Sequence, residues 1–325
     1  MPTESRNLRV VAVVVAFNRK DLLVESLSAL ALQTRPCDAI VVVDNASTDG
    51  SGAAALAVAP KIDLVTLDRN TGGAGGFATG IARALAAHNA DWVWLMDDDT
   101  IPTPTALDEL LHMAIADDES GQASIVVAGS RVVWHDGTDH PMNTPRENPF
   151  ASRREAARAR ELGGLAVRSS SFVSMLIRAS RIREVGLPIA DYFIWNDDFE
   201  YSVRLIRGHR GIFVPASVVV HKTKVLGSTD ADPGARFFYE VRNKVWLMRF
   251  SRGLSVYEKL VYSASTLRRW MRTVRNSKEP EVLVRERKRG WHEGWTTRPR
   301  RNADVLAGFG SVSDQVREVE SRGRS

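Results

Sequence analysis

Cysteine is almost missing: Cys37 is the one thiol among 325 residues, so no intrachain disulfide can form, and a reducing compartment is expected. Long apolar runs are missing as well. No stretch reaches the 18 or more residues that would span a bilayer. The N-terminal MPTESRNLRVVAVVVAF lacks the charged, apolar, small-residue order of a secretion signal and reads as the approach to a first strand. A cytoplasmic protein is the expectation. Aromatics make up only 7%, yet 44% of the chain is apolar, which is enough to bury a core and excludes disorder throughout.

What is present is unevenly charged. Residues 236–325 carry 21 Lys plus Arg against 10 Asp plus Glu, and residues 1–235 carry 23 against 29, so the net +5 hides a basic C-terminal part. Such a part suits phosphates, whether on nucleic acid or on anionic lipid.

Short β-branched runs alternate with helical patterns in the first half, which predicts a parallel or mostly parallel sheet covered by helices. Strands are expected over 9–16, 39–44, 62–67 and 91–97, with helices over 20–32, 50–58, 76–88 and beyond Pro104. Further strands are expected near 125–134, over 171–178 and in GIFVPASVVVH, with a loop-rich section and an Arg/Ala-rich helix between. In sheets of this kind ligands bind beyond the carboxyl ends of the strands. Past Gly234, Phe238, Val241, Val245 and Met248 fall on one helical face, and Leu260, Leu267, Met271 and Val274 repeat the pattern. Beyond Ser277 the chain is charged and is expected to be loosely structured. The expected division is 1–228 for an α/β unit of the nucleotide-binding type, 229–280 for a helical region and 281–325 for a flexible basic tail.

The chemistry concentrates at the strand ends. DWVWLMDDDT closes an apolar run with Asp97, Asp98 and Asp99. Two like charges ~4 Å apart repel by about 4 kcal/mol at an effective dielectric of ~20, so a positive partner is implied. Side chains alternate along an extended chain. Asp97 and Asp99 therefore share a side and form an oxygen pair for Mg²⁺ or Mn²⁺, while Asp98 is left to reach ribose or a backbone amide. The bland alternative is a solvated turn capping the next helix. His221 ends SVVVH and could complete the cation set, although a lone histidine is more often structural.

In WNDDFEYSVRLIR a capping box would use Asp197 as N-cap and Glu200 as N3, leaving Asp198 as a candidate general base whose ionised form the helix end favours. NTGGAGGFATG satisfies a G-x-G-x-x-A pattern through Gly73, Gly75 and Ala78, which keeps an NAD(P)-dependent dehydrogenase open. The favoured reading is a turn, Gly72 to Gly76, whose backbone approaches a sugar nucleotide. Asp44 ends VVVD and could accept from a pyrimidine N–H or ribose, or form an Asx turn.

Taken in order, AFNRKDLLVESLSALALQ, VVVDNASTDGS, NTGGAGGFATG, WLMDDDT, WNDDFEYSVRL and VVVH resemble the inverting family 2 glycosyltransferases of the GT-A fold over roughly residues 8–224. Within that family they are similar to the actinobacterial galactofuranosyltransferases of cell-wall galactan synthesis, especially the initiating type. The resemblance implies a Rossmann-like, mostly parallel mixed sheet with a C-terminal helical extension. It also implies a UDP-galactofuranose donor, a polyprenyl-diphosphate-linked GlcNAc-rhamnose acceptor, and Mn²⁺ or Mg²⁺ on Asp97, Asp99 and His221, with Asp198 as base. Phe17, Asn18, Arg19 and Asp44 would hold the uridine, Asn70, Gly72 and Gly73 would lie along the donor with Asp98, and Trp195 and Asp197 would face the acceptor. The basic helices with Phe237, Trp246, Phe250 and Trp270 would touch the cytoplasmic face of the plasma membrane, unless they form an ordinary packed subdomain. A rhamnosyl- or other hexosyltransferase is the alternative within the family. A retaining route would need Asp197 as nucleophile. A nucleic-acid reading rests on RERKRG and TTRPRR alone.

Overall fold

The computed structural model describes residues 8–116, 124–143, 145, 147–223, 226 and 232–322. The N-terminal half alternates strand and helix: β1 (Val10–Ala16), α1 (Lys20–Ala31), β2 (Ala39–Asp44), α2 (Ser51–Val58), β3 (Asp63–Thr66), α3 (Gly72–His88), β4 (Trp92–Asp97), β5 (Thr100–Pro102) and α4 (Ala106–Ile115). There follow β6 (Ile125–Val133), α5 (Arg153–Glu161), β7 (Leu165–Val167), β8 (Met175–Arg178), α6 (Ala179–Val185), α7 (Asp197–Ile206) and β9 (Arg210–His221). The chain ends in α8 (Phe237–Phe250), α9 (Val256–Asn276), α10 (Pro280–Thr296), α11 (Asn302–Val305) and α12 (Ser311–Arg322).

Among the described residues nine strands form one sheet in the order β3-β2-β1-β4-β8-β6-β9-β5, with β7 also on β9. Its first four strands are parallel, as is the β6–β9 pair, whereas β4–β8, β6–β8, β5–β9 and β7–β9 are antiparallel. The expected mostly parallel sheet is therefore corrected to an evenly mixed one. The sequence could not show this, because β5 and β7 are three residues long and too short to display a period.

Valine-rich β1 is buried on both faces because helices cover both sides of the sheet. Alternation sends Val11, Val13 and Val15 into one layer with Phe77, Ile81 and Leu85 of α3. Val10, Ala12 and Val14 enter the other with Leu23, Leu27 and Leu30 of α1 and Leu107 and Leu110 of α4. In β9 the pairing with β6 jumps from Ser130↔Val214 to Arg131↔Val218. The bulge falls at Pro215, which has no N–H to give a ladder.

The charged tail is helical rather than loosely structured. In α12, Val312, Val316 and Val319 join the α3 layer of the core. In α10, Gly290 and Gly294 let the helix lie against α8, where a Cβ at Gly290 would stand 2.5 Å from the Phe238 carbonyl. Charges dilute the apolar positions in the sequence, but one face suffices for docking. Phe237, Trp246 and Trp270 are buried, contrary to the membrane-facing expectation, and only Phe250 of that group is exposed. The outward residues of α9 are instead Leu260, Leu267 and Met271.

Candidate active site

Register brings the candidate cation ligands together. Val15 of β1 pairs with Asp97, so the β4–β5 turn begins beside the β1 end. Thr100 of β5 pairs with His221 at the end of β9, and Lys222 N–H donates to the Asp99 carbonyl at 2.9 Å. Each of Asp97, Asp99 and His221 thereby offers a ligand atom within 4.8 Å of the others, the one such cluster among the described residues. His221 Nε2 stands 3.2 Å from Asp99 Oδ1. Beyond that histidine contact the oxygen is buried with no hydrogen-bond partner, which is how a ligand position looks. Two carboxylates and an imidazole fit Mn²⁺ or Mg²⁺.

The positive partner that the aspartates lack in their own segment is Arg19, which pairs with Asp98 Oδ1 at 3.2 Å and also with Asp99. Asp98 Oδ2 accepts from the Phe17 N–H at 3.0 Å, so Asp98 takes the backbone-amide option. Burial, reinforced by Asp99, raises Asp97 to about 6. Burial also raises Asp98 to about 7 against the pull of Arg19. At Asp99 burial acts upward but is outweighed by His221 and Arg19, and the group is held low.

His221 is held from behind by a residue that the sequence did not mark. Its Nδ1 lies 3.0 Å from Asn143 Oδ1, and Asn143 Nδ2 donates to Ser171 Oγ at 3.0 Å. An amide oxygen accepts, so Nδ1 carries the proton and Nε2 is left as the ligand atom. Asn143 lies in the loop-rich 135–168 section, where no period betrays it. Ser171 also favours the ionised form of Asp198, and the Asp198 charge in turn acts on Asp97, so the cation trio and the candidate base share one site.

Asp198 begins α7, but not as a capping box. Asn196, in the left-handed region at φ 64°, is the N-cap, while Asp197 and Asp198 are the first two helical residues. Glu200 pairs with Arg204 at 3.0 Å and accepts from Ser251 at 2.9 Å. Burial raises Asp198, with the Phe199 N–H and Lys244 acting against it, so burial rather than the helix end sets its ionisation. Asp197 is pushed well above the carboxylate range by burial and by Asp198.

Ahead of α7, Phe193, Trp195 and Asn196 all have positive φ, a concentration of strain that needs support from outside. Asn243 of α8, fully buried, donates to the carbonyls of Tyr192, Ile194 and Trp195 at 2.8 to 2.9 Å. Glu240 accepts from Asn196 Nδ2 at 2.8 Å and from Trp270 Nε1 at 3.0 Å. Trp195 lies under the Arg236 guanidinium.

The glycine segment works differently from expectation. α3 begins at Gly72, not near residue 76. A Cβ at Gly72 (φ +71°) would stand 2.0 Å from the Phe193 carbonyl, while Gly76 and Gly80 abut Val15 and Val13. Their close approaches are to the protein itself, and only Gly73 of these faces open space. Asn45, unmarked in the sequence analysis, ties the strand ends together: it donates to the Gly72 carbonyl at 2.9 Å and to Asn70 Oδ1 at 3.2 Å, and accepts from the Thr71 N–H at 2.9 Å. Asp44 closes the turn after β2, accepting from the Ser47 N–H three residues on at 2.8 Å. Asn18 accepts from Thr48 N–H at 2.7 Å, and Phe17 is exposed beside it.

The glycosyl transferase family 2 model matches residues 11–180. The galactofuranosyltransferase GlfT1 of Mycobacterium tuberculosis is 34% identical over 256 residues, covering 74% of this chain and 82% of that protein. The N-acetylglucosaminyl-diphospho-decaprenol L-rhamnosyltransferase of the same species is 26% identical over 64% of this chain and 74% of that protein. In fold the chain resembles GT-A-type glycosyltransferases: Staphylococcus aureus TarS residues 1–349 in complex with UDP superimposes with a TM-score of 0.59 at 16% identity, covering 98% of this chain and 91% of that one. With its cation cluster and candidate base gathered at one end of a mixed sheet, the chain belongs to glycosyl transferase family 2 and is a glycosyltransferase.

Proposed function

We propose that the chain is an inverting galactofuranosyltransferase that moves galactofuranose from UDP-galactofuranose to a polyprenyl-diphosphate-linked GlcNAc-rhamnose acceptor in cell-wall galactan synthesis. The observation that carries it is the cation cluster of Asp97, Asp99 and His221, with His221 held by Asn143 and the Asp198 charge acting on Asp97 beside it. The choice of sugar is supported by the 34% identity to GlfT1. Asp97, Asp99 and His221 would hold Mn²⁺ or Mg²⁺; when bound, the ion supplies positive charge against the diphosphate leaving group.

Asp198 takes the proton of the acceptor hydroxyl as that oxygen attacks the anomeric carbon and the sugar–phosphate bond breaks on the opposite face. Burial raises the proton affinity of Asp198, which suits a base that must take up a hydroxyl proton. Burial and the neighbouring Asp198 charge both push the Asp197 carboxyl up, which disfavours the ionised form that a nucleophile needs and so supports inversion over the retaining route. Phe17, Asn18, Arg19 and Asp44 form the uridine side, with Asp98 holding Phe17 and Arg19 in place; Asn70, Gly72 and Gly73 follow the donor, and Trp195 and Asp197 border the acceptor. Residues 1–228 form the catalytic unit and 229–280 face an acceptor at the cytoplasmic membrane surface.

Rhamnosyl transfer is the second reading, favoured by the 26% identity to the rhamnosyltransferase. Incubation with UDP- and dTDP-sugars, Mn²⁺ and a prenyl-linked disaccharide, followed by analysis of the product, separates the two: galactofuranose transfer from the UDP donor is expected, and turnover of dTDP-rhamnose instead would overturn the first reading.

A further inference from the structure

An apolar surface lies uncovered on the helical end of the molecule. Tyr257, Leu260, Leu267 and Met271 follow one face of α9 at three-, four- and seven-residue steps and are 66, 66, 48 and 62% exposed. Trp291 and Trp295 of α10 are 45 and 51% exposed. Between the helices runs a groove of about 520 Å³ lined by Leu267, Trp270, Met271, Arg287, Lys288 and Trp291. A core-facing stripe would be covered; this one is uncovered along a helix of 21 residues, which is ~30 Å long.

Charge selects the occupant. Arg268, Arg272 and Arg275 of α9 and Lys288 of α10 are exposed along the same helices. The one carboxylate of α9, Glu258, is buried on Arg168 at 2.6 Å. A second copy would bring two cationic faces together. Aromatic and aliphatic residues flanked by arginine and lysine match the interfacial layer of a bilayer bearing anionic headgroups. We propose that the outward faces of α9 and α10 form a docking surface for an anionic lipid bilayer, with the helices lying in the plane of the interface.

The inner side of α9 faces the active site. Tyr262 packs edge-on against Phe199, the residue after Asp198, with ring centroids 5.3 Å apart, and Trp270 holds Glu240, which holds Asn196. Docking would therefore set the base about one helix diameter, ~10 Å, from the lipid. On the transfer reading above, this is where a lipid-borne hydroxyl arrives.

The test sediments the full chain with vesicles of phosphatidylglycerol and phosphatidylcholine, beside vesicles of phosphatidylcholine alone and duplex DNA. Retention on the anionic vesicles is expected, weakening with salt and falling at least tenfold in the Leu267→Glu, Met271→Glu double variant and separately in Trp291→Ala. Mn²⁺-dependent UDP binding should be unchanged in both. Undiminished retention of the variants, retention on DNA in place of vesicles, or a dimer that dissociates in the variants would overturn the proposal. Vesicle retention by a chain that binds no UDP would sink the transfer reading and leave the surface standing.

Discussion

Asp198 and Asn143 act on opposite sides of the same polar chain, and their removal should separate two functions. Asp198→Asn keeps the shape and loses the base, so transfer should fall by about 10²- to 10⁴-fold, while calorimetry still detects cation-dependent UDP binding. Asn143→Ala leaves every candidate ligand in place but frees the His221 ring. Its affinity for Mn²⁺ should fall about 10- to 100-fold, and an unchanged affinity would show that Asn143 does not orient the ligand. Arg19 is half exposed and spans Asp98 and Asp99, so Arg19→Met should ease Mn²⁺ entry while weakening UDP binding. The carboxylates and His221 are legible in the sequence because they interrupt apolar runs. Asn45, Asn143 and Asn243 are not, since a single asparagine in a polar stretch carries no period and its role exists only through partners 25 to 78 positions away.

At the scale of elements, the join between α3 and the loop before α7 is the tightest point in the site. Gly72→Ala would drive a methyl group into the Phe193 carbonyl at a backbone angle that alanine resists. It should lower stability by about 1–3 kcal/mol in urea unfolding and displace the loop that leads into α7 and Asp198. The repeating β-strand and helix order through β4 was readable because each element is long enough for its own period. The contact of Gly72 with Phe193 was not legible for a physical reason: a glycine demanded by a neighbouring carbonyl looks the same in sequence as one demanded by a ligand. The tail was misread because docking of α10 needs two glycines and a few apolar residues, whereas composition averages over the solvated face.

For the whole molecule, the burial of charge at the strand ends makes stability depend on pH. Asp97 and Asp98, raised to about 6 and 7 chiefly by burial, contribute stability that is complete below the ordinary carboxylate value. It is lost as pH rises through 6 to 7. Asp63, Asp99 and Glu258 are held low and remain ionised over about pH 5.5 to 8, whereas His140 and His209, lowered by burial, act in the opposite direction to Asp97 and Asp98. Without divalent cation the melting temperature should fall across that range, and Mn²⁺ should raise it more at pH 8 than at pH 5.5; equal shifts at both would count against the cation cluster. The pairing of Thr100 with His221 spans more than a third of the chain, and such distant closures are the slow ones in folding. A nascent or damaged chain could complete β1 to β4 and still lack a cation site. Mn²⁺ affinity would therefore report, in refolding experiments, whether β9 has joined the sheet.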